Sequence, residues 1–425
     1  MPAERCDPRL TRVWPLAERR SKHTVAQIRI DPDTAPPPAG SLAPQVAQVA
    51  TAVRAARQRG AAVILAYGAH LVKNGAGPLV GRLLADGWVT HLATNGAGII
   101  HDWEFAFLGR SEEDVRENVA AGRFGTWHET GHFLHLAAAL GAAEDLGFGA
   151  AVGRMIAHHG CQLPPRAQLA AGLAAWAAHP ADDPGMAAQA ELLQFMLHAG
   201  LDGGFLPVEH PHADFSLTAA AFRLGVPLTV HPGIGYDIIW THPHASGAAV
   251  GQAAYLDFLA LAHSVGRLDG GVMLSVGSAV MAPQVFEKAM SVANNHRQQR
   301  GQGPLHPFIA VNDLAASTWD CSAYRSNWAL ALSRIALAWS SLDFTSPMWE
   351  IDNSPISLPF VTPARRFTDN GKIDVIADLQ PPRGAFFRRE GSVVVAGQVD
   401  PVGKPHPELR VAVPHVVEFI TGAQP

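Results

Sequence analysis

Five short apolar runs constrain this chain more than any other feature. They are AAVILAYG (61–68), VTHLATNGAG (89–98), VPLTVHPGIG (226–235), GGVMLSVGS (270–278) and PFIAVND (307–313). Each closes on small or polar residues, and a helix-like stretch separates each from the next. A strand with one face in water alternates apolar and polar residues, whereas a run that is apolar throughout needs cover on both faces. That condition is met in a parallel sheet between two layers of helices, so the expected fold class is α/β with a doubly wound parallel sheet. In such sheets ligands bind beyond the carboxyl ends of the strands, and all five runs leave their strands through residues suited to that edge.

Around this frame the text divides into three parts. Residues 1–60 read as an N-terminal arm: a charged leading segment, a proline-rich stretch (31–45) and a helix through VAQVATAVRAARQRG. Residues 61–345 carry the sheet, with an Ala- and Leu-rich helical insertion at about 128–200 and a helical period again at 323–342. Residues 346–425 open with Pro355, Pro359 and Pro363, which mark a loop, and end in alternating text that suggests a small β appendage.

Composition excludes several function classes. The net charge is −5, with no run of five Lys or Arg, so neither a nucleic-acid groove nor an anionic membrane surface has an electrostatic footprint. The leading segment has no apolar core of the signal-peptide kind and no stretch approaches a bilayer span, which makes the cytoplasm the expected location. Cys6, Cys161 and Cys321 are too few and too scattered for a disulfide framework or a cysteine zinc site. Lysines are limited to Lys22, Lys73, Lys288, Lys372 and Lys404, so amine chemistry has few candidates.

The chemistry-bearing residues gather at the strand exits. The first exit, Tyr67-Gly68-Ala69-His70-Leu71-Val72-Lys73-Asn74-Gly75-Ala76-Gly77, holds glycines that would let backbone N–H groups approach a phosphate, and Lys73, which burial could make nucleophilic. The second, Thr94-Asn95-Gly96-Ala97-Gly98, runs on through His101, Asp102 and Glu104. Here an acid/base pair competes with a capping aspartate beside a solvated histidine. The third carries His231 to Asp237 and then His242 and His244; the fourth carries Ser275, Gly277 and Ser278. The fifth ends in Asn312-Asp313, where an acid placed for a ribose competes with a plain Asx-turn. Separately, His128-Glu129-Thr130-Gly131-His132 matches the H-E-x-x-H spacing, which puts two imidazoles on one helix face with a base between them. No third ligand is evident nearby, since Glu144 and His135 lie on the same helix, so no metal site is assigned.

The order of these pieces resembles the deoxyhypusine synthase family. The resemblance rests on AYGAHLVKNGAGPLVGRLLADGWVTHLATNGAGIIHDWE (66–104), GVPLTVHPGIGYDIIW (225–240), GGVMLSVGSAVMAPQVFEKAM (270–290) and FIAVND (308–313), about half of the chain and in the family's order. It implies a Rossmann-like fold, NAD as cofactor, a homotetramer, and hydride abstraction with imine formation and group transfer. The chain departs from the family in three places, one of them a helical insertion around 128–159 longer than the family's. AASTWDCSAYRSNW (315–328) has no lysine where the family's catalytic lysine lies, and Ile100 and His101 stand where carboxylates would receive a polyamine.

The resulting expectation is an NAD-dependent transferase or oxidoreductase acting on a small amine or hydroxy substrate. Lys73, His101, Asp102, Glu129 and His128 are its catalytic candidates. Thr94, Asn95, Gly96, Ala97, Gly98, Asp237, Gly277, Ser278 and Asp313 would line the dinucleotide. The expected partners are a small-molecule substrate and further copies of the chain, with no nucleic acid and no membrane. Two other readings stand beside it: a nucleotide-binding protein without turnover, and a zinc hydrolase built on the HETGH segment.

Overall fold

A computed structural model describes residues 3–36, 38–180 and 185–312, together with the strand segments 365–367, 373–375 and 393–396. The five apolar runs all form strands: β1 (Val63–Tyr67), β2 (His91–Asn95), β3 (Leu228–His231), β4 (Val272–Val276) and β5 (Phe308–Asn312). A sixth, β6 (Val393–Ala396), pairs with β5 in the register Val393 to Ile309. Every pairing in this sheet is parallel, and the spatial order is β3-β2-β1-β4-β5-β6. Chain direction across the sheet therefore reverses between β1 and β4. The piece of the carboxyl-terminal text at 393–396 joins the main sheet rather than standing in a separate appendage. Arg365–Phe367 and Ile373–Val375 form a small antiparallel pair of their own. The helical period at 323–342, the lysine-free segment 315–328 and Asp313 lie outside the described residues.

The sheet is mostly apolar because each face meets a core. On β1, Val63, Leu65 and Tyr67 enter one cluster with α1 (Ala43–Gln58) and α3 (Gly77–Ala85), while Ile64 and Ala66 enter a second. The second is closed by α10 (Gly247–Val265) and α11 (Met281–Gln299), the latter burying Ala282, Phe286, Ala289, Met290 and Ala293 at helical spacing. Burying a side chain such as Phe286 contributes about 2 kcal/mol, and the alternation along β1 is what divides that gain between two layers.

Between β2 and β3 runs the long insertion. Its longer helices are α4 (Gly96–Leu108), α5 (His128–Ala143), α6 (Phe148–Ala157), α7 (Arg166–Ala178), α8 (Gly185–His198) and α9 (Leu217–Arg223). Periodicity in the Ala- and Leu-rich text anticipates the helices but not the antiparallel pair Gly160–Leu163 with Gly204–Pro207 that closes one side. The leading segment is no loose arm: His23–Thr24 pairs with Arg110–Ser111, and Arg19, 3% exposed, reaches into the insertion. No single helix among the described residues is long and apolar enough to cross a membrane.

Candidate functional site

Two polar regions stand out, one at the strand ends and one at the start of α5. At the strand ends the backbone of β1's exit meets that of β4's. A Cβ on Gly68 would lie 2.0 Å from the Gly277 carbonyl oxygen, so only glycine permits the contact, and Gly277 itself holds φ +60. The Gly277 N–H donates to Asn312 O and the Gly68 N–H to Val276 O, which ties β1, β4 and β5 together at the reversal of strand order. The exit of β2 begins the 13-residue α4, with Asn95 Oδ1 accepting from the Gly98 N–H at 2.8 Å. Asp237, delivered by the loop after β3, lays its carboxylate against Gly96 and accepts from the Gly233 N–H at 2.7 Å. Burial pushes this carboxyl up to about 6, opposed by the Gly233 bond. Thr94 is buried and donates to Tyr67 O, and Ser278 is buried with Oγ accepting from the Ala282 N–H; both hold the frame instead of facing a ligand.

His70, which sequence reasoning named only in passing, starts α2 (Ala69–Lys73) on this edge, its Cβ close to Gly277. Burial and then the charge of Lys73 bring its imidazole down to about 4. Lys73 Nζ lies 3.6 Å from Glu112 Oε2, 20% exposed. The pair Gly75-x-Gly77, read from sequence as a phosphate turn, is used for packing. Gly75 sits at φ +80 against the Ile28 carbonyl, and Gly77 abuts the Phe215 carbonyl.

His101 belongs to a buried network that joins the leading segment to α4 and α5. Arg19 makes two 2.7 Å bonds to Glu104, which also accepts from Ser111 Oγ at 2.5 Å and Thr130 Oγ1 at 2.8 Å. Because the Ser111 hydroxyl gives its proton to Glu104, His101 Nδ1, 2.7 Å away, donates to Ser111 and leaves Nε2 with the lone pair. Burial lowers this imidazole to about 4. Burial alone would raise the Glu104 carboxyl, but Arg19 holds it below its usual value.

Asp102 corrects the sequence reading. It is fully buried and turned away from His101's partners, accepting from Ser216 Oγ (2.6 Å), Leu217 N–H (2.9 Å) and Thr218 N–H (3.1 Å) at the start of α9. It is a helix cap, neither an orienter of His101 nor a substrate anchor. Glu129 is likewise engaged, with Oε2 accepting from the Leu16 N–H at 2.6 Å, so it is not a free base between two imidazoles.

At the start of α5, five imidazoles meet. His128 and His132 have ring centroids 5.2 Å apart, and the loop after β3 brings His244 to 5.3 Å from His132 and His242 to 5.7 Å from His128. His132 Nδ1 and His244 Nδ1 are 3.2 Å apart, and His242 Nδ1 accepts from the His244 N–H at 3.1 Å. His135 donates from Nε2 to Ile239 O at 2.9 Å. His135 Nδ1, His242 Nε2 and Trp240 Nε1 are buried without a hydrogen-bond partner. Phe133 and Phe195 wall the cluster. Sequence spacing showed the pair on α5; that the distant His242-x-His244 lands beside it depends on where the β3 loop runs.

No family profile and no curated protein matches the sequence. The fold is similar to several solved structures. One is AgrE in its ternary complex with ornithine and NAD+, with 14% identity and a TM-score of 0.32, covering 69% of this chain and 32% of that one. A second is apo ArgZ, an arginine dihydrolase from the ornithine-ammonia cycle in cyanobacteria, with 12% identity, a TM-score of 0.31, and 64% and 27% covered. A third is the "conserved putative LOR/SDH protein" from Methanococcus maripaludis S2, with 10% identity, a TM-score of 0.31, and 72% and 66% covered. This chain spans about a third of AgrE's length or less. None of these three is a deoxyhypusine synthase, and likeness at this level carries nothing about substrate or chemistry.

Proposed function

We propose that this chain is an NAD-dependent enzyme acting on a small amine or hydroxy substrate, with the dinucleotide lying across the carboxyl ends of β1, β2, β4 and β5. One observation carries the proposal. The sheet has the order 3-2-1-4-5-6, and at its reversal the exits of β1 and β4 touch backbone to backbone through Gly68 and Gly277, with no room for a side chain between them. That reversal is where doubly wound sheets take dinucleotides. The residues fit such a group. Asn95, Gly96 and Ala97 start α4 at the positive end of a helix dipole, which favours an anion, and the Asp237 carboxylate already lies there against Gly96. No acid stands at the end of β2; Asp237 supplies a carboxylate there from the β3 loop, suited to ribose hydroxyls.

NAD+, when bound, accepts a hydride from the carbon that bears the substrate nitrogen or oxygen. His101 is the base for the proton that leaves with it, since its Nδ1–H is spent on Ser111 and its Nε2 is free to accept. Lys73 and His70 flank the same edge, Lys73 as a charge stabiliser or imine former. The deoxyhypusine synthase-like assignment is part of this proposal, supported by the order of strand, turn and helix at 66–104, 225–240 and 270–290, and with it come a homotetramer and a cytoplasmic location.

Calorimetric titration with NAD+ tests the binding, followed by a panel of amines and hydroxy compounds read by the absorbance of reduced nicotinamide. Saturable binding that weakens about tenfold or more in Asp237→Asn is expected, as loss of a charged acceptor predicts. Binding without turnover on any panel member would favour a nucleotide sensor, and absence of binding would overturn the proposal.

A further inference from the structure

The imidazole cluster at the start of α5 has no part in the dinucleotide reading, yet it holds one end of the loop that does. Residues 232–246 leave β3 and lay Asp237 against Gly96. Further along, Ile239 O accepts from His135 Nε2, Thr241 Oγ1 donates to Gly125 O at 2.9 Å, and His244 Nδ1 lies 3.2 Å from His132 Nδ1. The His242 ring rests on Gly131, where a Cβ would come within 2.5 Å of it, so the glycine inside the H-E-x-x-H helix makes the seat for this loop. As the side chains stand, no three His, Cys, Asp or Glu groups among the described residues are set to hold a metal ion; the rings meet one another instead.

The hydrogen bonds require neutral rings. His242, 1% exposed, accepts at Nδ1 from the His244 N–H at 3.1 Å. Its own proton is therefore on Nε2, and a second could go only to Nδ1, donor against donor. His132 and His244 share one proton between their Nδ1 atoms, so at most one of them can be charged while that bond lasts. The acids on the packed elements are engaged elsewhere: Glu129 of α5 with the Leu16 N–H, Glu191 of α8 with Ser246 Oγ, Glu113 with the Gly125 N–H and Trp127 Nε1, and Asp257 of α10 with the Val230 N–H. Asp237, on the loop itself, takes the Gly233 N–H. The remaining bases that face the cluster are His128 at the surface and His198 of α8, and a proton on either repels another on His244.

We propose that loop 232–246 is an acid-released latch: proton uptake at His242 and at the His132–His244 pair detaches its outer half from α5 and loosens the seat of Asp237. In the closed loop, burial and then the neighbouring rings hold His132 down to about 4 and His242 to about 2, whereas rings released to water return to 6.5. Between these values the open loop binds more protons, so closure is complete above 6.5 and is lost as pH falls. Each proton taken up shifts the opening equilibrium about tenfold per pH unit. The latch stands apart from the dinucleotide reading; its effect on cofactor affinity rests on that reading.

Hydrogen exchange of the full chain between pH 7.5 and 5, corrected for intrinsic rates and read by mass spectrometry, tests the latch. Protection across 238–246, relative to α11, should fall about tenfold or more per pH unit below 6.5. His242→Asn places an amide oxygen where Nδ1 accepts and cannot take a proton, so it should keep the protection at pH 7.5 and lower the slope by one proton. A loop whose protection does not follow pH overturns the proposal, and so does a slope unchanged in His242→Asn. Should that variant fail to fold, His244→Asn takes its place, judged by the same slope. Calorimetric titration of NAD+ over the same range reads the coupling. Affinity should weaken toward pH 5 less steeply in His242→Asn than in the unaltered chain, the titration of Asp237 being common to both. Equal slopes would overturn the coupling to Asp237, and no binding at any pH would sink the dinucleotide reading while the exchange result still decides the latch.

Discussion

Helix α5 faces two polar clusters within its first two turns, and they are opposite in kind. Through Thr130 it joins Arg19, Glu104, Ser111 and His101, where each bonding atom of the ion pair finds a partner at 2.5 to 2.8 Å. Through His128 and His132 it joins His242 and His244, a cluster whose neighbourhood leaves three buried nitrogens unmatched. Both are interior and rich in ionisable groups, so burial alone does not separate them. Completeness of hydrogen bonding does: a matched network fixes a geometry, and an unmatched one keeps donors and acceptors that other groups could engage.

The largest test of this contrast is the removal of a charge from the matched side. Arg19→Ala leaves Glu104 ionised and buried without its partner, and denaturant unfolding should show a loss of about 3 to 5 kcal/mol. A loss well under 1 kcal/mol would mean that the leading segment does not hold the insertion. Asp102→Ala removes three bonds at the start of α9 and should cost about 2 kcal/mol while leaving NAD+ affinity unchanged. An affinity change larger than the stability change would return Asp102 to the site.

Acid sharpens the same contrast. The folded-state value of His101, about 4, lies below its usual 6.5, so between these values the unfolded chain binds the extra proton and stability falls as pH falls. The slope is about 1.4 kcal/mol per pH unit for one proton, and His101→Asn should flatten the acid limb of the unfolding curve by that one proton. Glu104 acts in a lower window: its carboxyl is held below the usual value, so its contribution is present above that value and lost as pH falls beneath it. The smallest stability effect belongs to Lys73→Met. Its pair with Glu112 is partly exposed and long, so unfolding should shift by less than about 0.5 kcal/mol. Turnover, if Lys73 serves it, should fall about a hundredfold or more with NAD+ binding retained.

Much of the frame was legible because it rests on short-range rules. The five runs became β1 to β5 within four residues at the strand ends, since continuous apolarity demands two covered faces wherever the strand lies. The glycine exits at Gly68 and Gly277 were visible too, although their meeting was not, because it needs β1 and β4 to be neighbours. Roles were read less well. Asp102 and Glu129 looked catalytic from their neighbours in sequence, yet each carboxylate turned to backbone N–H groups more than a hundred positions away. His242 and His244 showed no spacing relation to His128 that could have joined them to it.

The sequence by itself determined the class of fold, the sheet edge at which ligands were expected and the identity of the polar groups at that edge. These follow from periodicity and residue type, which act over a few residues. Tertiary structure alone decided the order of strands, with its reversal between β1 and β4, and which carboxylates were spent as caps. It also decided that two histidine pairs more than a hundred residues apart share one place. A buried donor takes the nearest acceptor in space, and which acceptor is nearest depends on the whole packed chain.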